Sequence, residues 1–396
     1  MDKKWIFLAV LITIGLLAAV GLFRRAPTGE GFPPTLVRGP WTSAVGDAVI
    51  VSFQLDPPMG GEVLYGPEDE GPVAAAPFSP ADGPVHVKLV GLEPGTRYVY
   101  RIALADGSRT PPGRFVTPPE GATPFTFLVY GDTRTFYDRH RIVADRMAEE
   151  DAAFVVHTGD LIESPMEGEW DAFFASGRRL FLSTLFFPVL GNHERNSLSY
   201  YRLFELPGAG GKKGEQWWSF RWGDVLFVGL DSNTQYLQFT GLRAETDWLK
   251  EILSQDARFK FVFFHHPFYS SDLHYGGNEG LAKLWHPIFV DTGVDIVFCG
   301  HVHAYEHIVR DGVHYVTTGG GGAPAYPLGE PVEGEVFSTQ LVLHYMRVRV
   351  AGDSAEVEMV PVARVPLGEE EGEIVPMKGE PLERFSVEAR SPVPQP

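Results

Sequence analysis

The sequence is poor in cysteine and in positive charge, and each scarcity excludes a class of structure or partner. Cys299 is the only cysteine among 396 residues, so the chain can form no intramolecular disulfide, and its cysteine content does not indicate a cellular compartment. Lys and Arg number 33 against 51 Asp and Glu, which gives a net charge of -18 at pH 7. This charge would repel a nucleic-acid backbone, so we expect no nucleic-acid partner.

One long apolar run lies near the N-terminus. Residues 5–23 carry no charge, and two lysines and two arginines flank them. A run of this length can span a bilayer as a helix, and the alternatives are a cleaved signal peptide and a buried helix. Ala19-Val20-Gly21 is only a fair cleavage site, and no cysteine follows the run, which excludes a lipoprotein anchor. We therefore predict that residues 1–25 form a single N-terminal membrane anchor and that the remaining chain is extracytoplasmic; secretion after signal cleavage is the alternative.

The next segment has the pattern of a linker followed by a small β domain. Residues 26–40 are rich in Pro and Gly, which indicates a linker. Over residues 41–118, short strands such as Ala48–Leu55 and Gly113–Val116 alternate with Gly and Pro clusters, which is typical of an all-β sandwich. The segment holds no constellation of acids, histidines or nucleophiles. It is therefore either a binding or spacer module or a domain that only packs against its neighbour.

From residue 119 the pattern changes to alternating strands and helices. Apolar stretches such as Phe125–Tyr130 and Val294–Phe298 predict buried strands, and amphipathic stretches such as Glu279–Val290 predict helices between them. This alternation predicts an α/β domain over residues 119–362 whose sheet faces are covered. The composition of residues 363–396, rich in Pro and Glu, predicts a solvated and partly disordered acidic tail.

Five of the predicted strands end in residues that can bind metal ions. These strand ends carry Asp132, Asp160, Asn192-His193, His265 and His301/His303. Turn chemistry explains any one of them but not all five together. Because open α/β sheets place ligand sites at the carboxyl ends of their strands, we expect these side chains to converge. Carboxylate, amide and imidazole ligands suit Zn, Mn, Fe or Ni, and there are too many of them for one tetrahedral ion. Two ions that share a carboxylate would account for the set, and such a centre suits an in-line displacement at phosphorus.

The same strand ends resemble a known family. Five stretches resemble, in order, the motifs of the calcineurin-like metallophosphoesterases. They are Gly131-Asp132, Gly159-Asp160, Gly191-Asn192-His193-Glu194, His265-His266-Pro267 and Gly300-His301-Val302-His303. The continuation Ala304-Tyr305-Glu306 resembles the purple acid phosphatase branch, and stretches within residues 63–118 resemble the fibronectin type III-like domain of those enzymes. The resemblance covers residues 40–350. It implies an α/β fold, a βαβαβ two-sheet sandwich flanked by helices, preceded by a small all-β sandwich.

The resemblance also implies an activity and a role for each site residue. The activity is that of a dinuclear-metal-dependent phosphoric ester hydrolase in which a metal-bound hydroxide attacks phosphorus. Asp132, Asp160 and His303 would bind the first metal, Asn192, His265 and His301 would bind the second, and Asp160 would bridge the two. His193 would stabilise the transition state or protonate the leaving oxygen. His274 lies where the family often has a histidine facing the leaving group, and an exposed loop histidine is the alternative. His266 points either into the cleft or behind the ligands.

The chain departs from the family pattern at two positions. The tyrosine whose bond to ferric iron colours the purple enzymes is replaced by Glu163, and the histidine that other members carry two residues after the first aspartate is replaced by Arg134. Glu163 either supplies the missing ligand of the first metal or points to solvent. Arg134 either holds a phosphate oxygen or forms a structural ion pair with Glu163 or another acid. Without a tyrosinate ligand we expect no purple charge-transfer band.

Phosphomonoesters are the substrates that the resemblance favours, with two ions of Fe, Mn or Zn per chain as cofactors. One alternative is a phosphodiesterase of the same superfamily, and another is an inactive cell-surface protein whose sandwich binds a glycan or a protein. We expect loops near residues 205–215 and 233–242 to determine specificity. Lys212 and Lys213, in the first loop, either steer an anionic substrate or are simply solvated.

Overall fold

The computed structural model describes residues 31–368 and 372–390, and these ranges contain 21 strands and six helices. The strands are β1 (Leu36–Val45), β2 (Ala48–Leu55), β3 (Gly61–Pro67), β4 (Ala74–Phe78), β5 (Pro84–Leu89), β6 (Arg97–Leu104), β7 (Gly113–Val116), β8 (Phe125–Tyr130), β9 (Phe154–His157), β10 (Leu185–Pro188), β11 (Trp218–Trp222), β12 (Val225–Gly229), β13 (Lys260–Phe263), β14 (Ile296–Cys299), β15 (Tyr305–Arg310), β16 (Val313–Thr318), β17 (Glu335–Thr339), β18 (Val342–Ala351), β19 (Ser354–Arg364), β20 (Val375–Pro376) and β21 (Glu383–Glu388). The helices are α1 (Tyr137–Met147), α2 (Glu167–Ser176), α3 (Arg178–Ser183), α4 (Leu198–Leu203), α5 (Thr234–Leu253) and α6 (Glu279–Thr292).

Two large sheets form the α/β part of the chain. One has the order β20-β19-β18-β8-β9-β10-β1-β2-β5, with β21 also beside β19, and the other has the order β11-β12-β13-β14-β16-β15-β17. Strands β8, β9 and β10 pair in parallel, as do β12, β13 and β14. All four residues of β9 and of β14 are buried, which is what parallel strands covered on both faces require. The α/β fold that the sequence predicts is confirmed.

Aromatic side chains fill the space between the two sheets. The ring of Phe127 on β8 lies 5.2 Å from that of Phe227 on β12 and 5.3 Å from that of Phe261 on β13. Helices α1, α2 and α3 pack on the outer face of the first sheet and α5 and α6 on that of the second, where Trp285 is fully buried. This sandwich holds the carboxyl ends of both sets of parallel strands along a common edge.

The front strands are built into this framework rather than joined to it by a linker. Strand β1 starts at Leu36, inside the segment expected to be a linker, and pairs in parallel with β10 at Thr42. The Trp41 ring stacks on Phe174 of α2 at 4.3 Å, and the buried Arg38 guanidinium contacts the Asp171 carboxylate at 2.7 Å. Strands β4, β3, β6 and β7 form a separate sheet that packs over β2. The fibronectin type III-like assignment stays a prediction.

The acidic C-terminal segment differs from the solvated tail that its composition suggests. Strand β21 pairs with β19, and its burial alternates along the strand. The Tyr305 hydroxyl donates to the Glu383 carboxylate at 2.5 Å, and the Phe385 ring stacks on His307 at 4.0 Å. Phe385 and its neighbours therefore supply enough apolar and hydrogen-bonding contact to hold this part of the segment on the sheet.

Our prediction of a membrane-anchored chain is overturned. Within residues 31–368 and 372–390, no helix is both long enough and apolar enough to cross a membrane. The apolar run that prompted the prediction, in residues 1–25, lies outside the described residues.

Glu245 on α5 is a buried acid whose replacement should stabilise the fold. One of its carboxylate oxygens accepts the Asp231 backbone N–H at 2.7 Å, and the other has no hydrogen-bond partner among the described residues. Burial and the nearby Asp231 raise the pKa of Glu245 well above its ordinary value. Above the unfolded pKa, the folded chain retains a proton that the unfolded chain releases, so stability falls as pH rises. Glu245→Gln should therefore raise Tm at pH 8 by about 2–4 °C, with a smaller gain near pH 5.

Thermal unfolding at the two pH values, at constant metal content, measures this effect. Glu251→Gln, a substitution at an exposed position of the same helix, serves as the matched control and should change Tm little. A loss of stability in Glu245→Gln that is equal at both pH values would show that Glu245 is ionised in the folded chain.

Candidate metal centre

The first group of ligand atoms, defined here as Asp132, Asp160 and His303, lies at the ends of β8 and β9 and in the loop after β14. All three side chains are buried, and their ligand atoms lie within 4.8 Å of one another. Asp132 and Asp160 have φ values of 59° and 57°, a left-handed conformation that aspartate tolerates better than most residues. His303 Nδ1 donates to the Pro324 carbonyl at 2.5 Å, so the lone pair of the neutral ring is on Nε2. This Nε2 atom lies 3.4 Å from Asp132 Oδ1.

The second group, defined as Asn192, His265 and His301, comes from the ends of β10, β13 and β14. Asn192 Oδ1 lies 3.0 Å from both His265 Nε2 and His301 Nδ1, and the two ring nitrogens are 3.2 Å apart. Asp160 joins this group to the first, because its Oδ1 is 3.3 Å from His265 Nε2. Asp160 therefore lies between the two groups, as a bridging ligand would.

The donor set fits metal ions. Two ligand atoms each about 2.1 Å from one ion are about 3.0–3.4 Å apart, depending on the coordination geometry. The distances within the second group have these values, and a single proton cannot bridge all of the facing lone pairs. His265 Nδ1 faces the Thr158 carbonyl at 2.9 Å, so it carries a proton and Nε2 is directed at the group. The arrangement supports two adjacent ions held by oxygen and nitrogen atoms.

The electrostatics of the site favour positive charge. Burial alone lowers the pKa of His265, but Asp160, with a contribution from Asp132, raises it to about 9. Burial and the neighbouring His265 lower the pKa of His301. Burial alone raises the pKa of Asp160, yet His265, His193 and Arg134 hold it well below its ordinary value. The carboxylates thus attract positive charge to His265 Nε2: a proton supplies it in the metal-free site, and a bound cation would displace that proton.

Two motif glycines allow the strand ends to approach this closely. A Cβ atom at position 191 would lie 2.1 Å from Asp160 Oδ1, and one at position 300 would lie 2.5 Å from Asp132 Oδ2. Neither carboxylate can move away without leaving the centre. Glycine at these two positions is therefore required by the geometry of the carboxylates.

Glu194 ties two of the ligand-bearing loops together. Its carboxylate is fully buried and accepts four backbone N–H groups, from Asp160 (2.9 Å), Leu161 (2.9 Å), Ile162 (3.3 Å) and Gly191 (2.7 Å). Because the first three belong to the loop after β9 and the last to the loop after β10, Glu194 fixes Asp160 relative to Asn192.

His193 projects from the same loop towards the space beside the ions. Its Nδ1 donates to the Glu163 carbonyl at 2.7 Å, and its Nε2 lies 3.8 Å from Asp160 Oδ2. The side chain is partly exposed. Nε2 therefore faces the carboxylate that both groups share and is open to a substrate.

Arg134 and Glu163 pair with each other. Arg134 Nη1 donates to Glu163 Oε2 at 2.7 Å, and the Thr135 hydroxyl donates to the same oxygen at 2.6 Å. Arg134 Nη2 donates to the Tyr326 hydroxyl at 3.1 Å, and Nε lies 3.5 Å from Asp160 Oδ2. This is the ion-pair alternative for Arg134, and it directs Glu163 Oε2 away from the first group. That Glu163 binds a metal stays a prediction, and this geometry disfavours it.

His266 lies against the second group but has the wrong tautomer for a ligand. The Ser232 hydroxyl oxygen accepts the backbone N–H groups of His265 (3.2 Å) and His266 (3.0 Å), so its proton points to His266 Nδ1 at 2.8 Å. This leaves the proton of the neutral ring on Nε2. Burial, followed by the charge on His265, lowers the pKa of His266 to about 3. The ring is therefore suited to donate a hydrogen bond into the site.

His274 is not brought into either group. It is exposed on the loop after β13, where the buried Asp272 carboxylate accepts the N–H groups of His274 (3.0 Å) and Tyr275 (2.6 Å). The Tyr275 ring lies 4.4 Å from that of His301 and therefore stands closer to the centre. Glu306, the end of the motif Ala304-Tyr305-Glu306, accepts the Ser271 N–H at 2.6 Å and so fastens this loop.

Sequence reasoning did not identify Tyr275, Tyr326 or Ser232 as part of the site. The Tyr326 ring stacks on His303 at 4.0 Å from a loop that carries no metal-ligand motif. Only the position of Tyr275 beside His274 offered a signal. Tyrosine and serine in loops are too common for their presence alone to predict a site.

Comparisons with known proteins agree with this geometry. The profile of the calcineurin-like phosphoesterase family matches residues 125–305. A purple acid phosphatase of Glycine max is 29% identical over 326 residues, 73% of this chain and 68% of that protein. Purple acid phosphatase 18 of Arabidopsis thaliana is 31% identical over 246 residues, 58% of this chain, and the chain spans about half of that relative's length (54%).

Solved structures show the same fold. The purple acid phosphatase PPD1 from yellow lupin seeds superposes with a TM-score of 0.71 at 16% identity, covering 88% of this chain and 74% of that one. The structure of PhoD superposes with a TM-score of 0.66 at 15% identity, covering 92% of this chain and 94% of that one. With its strand-end motifs in order and its ligand atoms converged, the chain matches the calcineurin-like phosphoesterase family over residues 125–305 and is similar to purple acid phosphatases over much of its length.

Proposed function

We propose that this chain hydrolyses phosphomonoesters with a dinuclear metal centre. The observation that carries the proposal is the position of Asp160, whose Oδ1 is 3.3 Å from His265 of the second group while its carboxylate also belongs to the first group. One buried carboxylate shared by two ligand groups is what a two-metal hydrolytic site needs. The metals that suit the oxygen and nitrogen donors are Fe, Mn or Zn.

The first metal would be held by Asp132, Asp160 and His303, and the second by Asp160, Asn192, His265 and His301. When bound, the two ions lower the pKa of a water molecule and neutralise the oxygens of the phosphoryl group. The buried carboxylates and imidazoles fix the geometry, and the backbone contacts of Glu194 keep the loops in place.

His193 would donate a proton to the leaving oxygen. Its Nδ1–H donates a hydrogen bond to the Glu163 carbonyl, which fixes the orientation of the ring. Nε2 is therefore the atom that exchanges a proton with the substrate. Histidine is the side chain that most often transfers protons in enzymes. His274, exposed on its loop, would contact the leaving group only where a substrate extends over Tyr275.

Arg134 would hold a phosphate oxygen. Three of its five N–H groups are used by Thr135, Glu163 and Tyr326, and Nε has no hydrogen-bond partner among the described residues. The guanidinium is almost fully buried beside Asp160, so its unused N–H groups lie next to the centre. Glu163 would act by fixing this guanidinium.

Phosphomonoesters are favoured over diesters because the relatives are named as phosphatases. One of them is a phosphoenolpyruvate phosphatase of Allium cepa, 29% identical over 325 residues, 72% of this chain and 66% of that protein.

Purified protein, treated with a chelator and reloaded with Mn, Zn or Fe, tests the proposal. We expect near two ions per chain, hydrolysis of a chromogenic monoester well above that of the matching diester, and loss of at least about 99.9% of the activity on chelation. Because a tyrosinate ligand is lacking, the iron-loaded protein should show no purple band in its visible spectrum. Hydrolysis of neither ester with any ion, or a content of one ion or none, would contradict the dinuclear phosphatase.

A further inference from the structure

A cleft of about 570 Å³ lies next to the loop that follows Asn192, and all of its charged lining residues are cations. Arg195, Lys212 and Lys213 line it together with Trp217, Tyr236 and Gln238, and no Asp or Glu is among its described lining residues. None of the three cations has a carboxylate within 4.0 Å in the described chain. In a chain of net charge -18 this is unusual: the cleft between Arg97 and Glu149, for comparison, is lined by both signs.

One wall of this cationic cleft continues a loop that carries the second group, and the other continues a loop that contacts it. The Arg195 N–H donates to the Asn192 carbonyl at 3.3 Å, a tight turn that keeps the two Cα atoms within about 7 Å. The other wall begins at Ser232, which accepts the His265 N–H, and continues through Tyr236 to the kink at Gln238. Both walls of the cleft are therefore connected to the second group through short stretches of chain.

The wall that carries Arg195 is held in a strained conformation. Arg195 has a φ value of 51°, which costs about 1 kcal/mol or more for a residue other than glycine, and Asn196 has a φ value of 44°, which asparagine adopts more readily. The Asn196 side chain donates a hydrogen bond to the Asp231 carboxylate, which fixes its position. The backbone carbonyl of Asn196 accepts a hydrogen bond from the Lys213 ammonium at 3.1 Å. Since Arg195 itself makes no ion pair, these contacts present a free guanidinium to the cleft.

We propose that this cleft binds an anionic group on the alcohol portion of the substrate. The inference rests on the proposed phosphomonoesterase activity and gives its substrate class: a phosphomonoester whose leaving group carries a second phosphate or a carboxylate. His193, the proposed proton donor to the leaving oxygen, is two residues from Arg195, so this cleft would receive the alcohol portion of the substrate. Trp217 and Tyr236 provide an apolar surface for the carbon chain between the two anionic groups.

Three substrates with the same carbon chain test this proposal: hexyl phosphate, hexanediol bisphosphate and phosphooxyhexanoate. The wild-type KM for the bisphosphate should be about tenfold lower than for hexyl phosphate, and added salt should reduce the difference. In the triple variant Arg195→Gln, Lys212→Gln, Lys213→Gln, KM for the bisphosphate should rise about tenfold, while kcat/KM for hexyl phosphate stays within about twofold. The phosphooxyhexanoate arm shows whether a carboxylate is bound as well as a phosphate.

Lys250→Gln, an exposed cation on the far part of α5, is the matched control and should change none of these constants. Equal wild-type KM values for hexyl phosphate and the bisphosphate, or equal effects of the triple variant on both, would overturn the cleft proposal and leave the phosphatase proposal standing. If no monoester is hydrolysed, the phosphatase proposal fails, and calorimetric binding of hexanediol bisphosphate to wild type and triple variant decides the cleft separately. Tighter binding to wild type supports it, and equal affinity overturns it.

Discussion

Asp160→Asn is expected to lower kcat/KM for a phosphomonoester by about a thousandfold or more and to reduce the metal content below two ions per chain. The substitution removes one negative charge from the side chain that lies between the two ligand groups. It should leave the fold intact, because asparagine tolerates the left-handed conformation (φ 57°) of this position as well as aspartate does. Steady-state kinetics and metal analysis of the same preparation measure both effects.

Asp311→Asn is the matched control for this substitution. Asp311 is also an aspartate of left-handed conformation (φ 49°), but it lies in the exposed turn between β15 and β16. It should leave kinetics and metal content unchanged. Wild-type activity in Asp160→Asn would show that the carboxylate does not bridge two ions, whatever the metal content of the protein.

The convergence of the candidate ligands could be predicted from the sequence because each of them is tied to a local feature. His265 directly follows a short apolar run, and Asp160 follows another after Thr158 and Gly159. Such runs are recognisable as buried strands without knowledge of their partners. Once the strands were assigned to one α/β domain, the rule that parallel strands end along a common edge brought the ligands together. Strand β8, Phe125–Tyr130, begins and ends where the sequence pattern places it.

The front strands and the C-terminal segment show where local patterns stop being sufficient. Strand β1 pairs with β10, about 140 residues further along the chain, and nothing in residues 26–40 signals this contact. The Pro and Gly content of the segment favours a linker, yet Arg38 and Trp41 hold it on α2. Similarly, the many acids around β21 suggest solvent, whereas Glu383 has a buried partner in His307. Long-range pairing overrides local composition in both places.

Arg134 and Glu163, the two positions at which the sequence departs from the family pattern, contact each other. They form one ion pair at 2.7 Å. From the sequence alone, Glu163 could be a metal ligand or a solvated side chain, and Arg134 could hold a phosphate oxygen or form an ion pair. Their contact could be decided only by the fold, because 29 residues separate them.

Glu194→Ala is expected to have the largest effect on stability, lowering Tm by about 10 °C or more. The substitution leaves four buried backbone N–H groups without an acceptor, and each such group costs about 1–3 kcal/mol. A total of several kcal/mol is a large part of the stability of an ordinary domain, about 5–15 kcal/mol. Glu251→Ala, at an exposed helical position, is the matched control and should leave Tm nearly unchanged.

Glu194→Gln separates the effect on the metal centre from the effect on folding. Glutamine keeps one acceptor oxygen but turns an NH2 group towards backbone donors, so the loops of Asp160 and Asn192 should stay folded but lose their fixed relative position. We therefore expect a weakening of metal affinity by about 10- to 100-fold at a temperature where the variant is fully folded, measured by competition with a chelator. A variant that melts lower but retains wild-type metal affinity would assign Glu194 to folding alone. A variant with wild-type Tm and affinity would show that the centre is held by its ligands without this carboxylate.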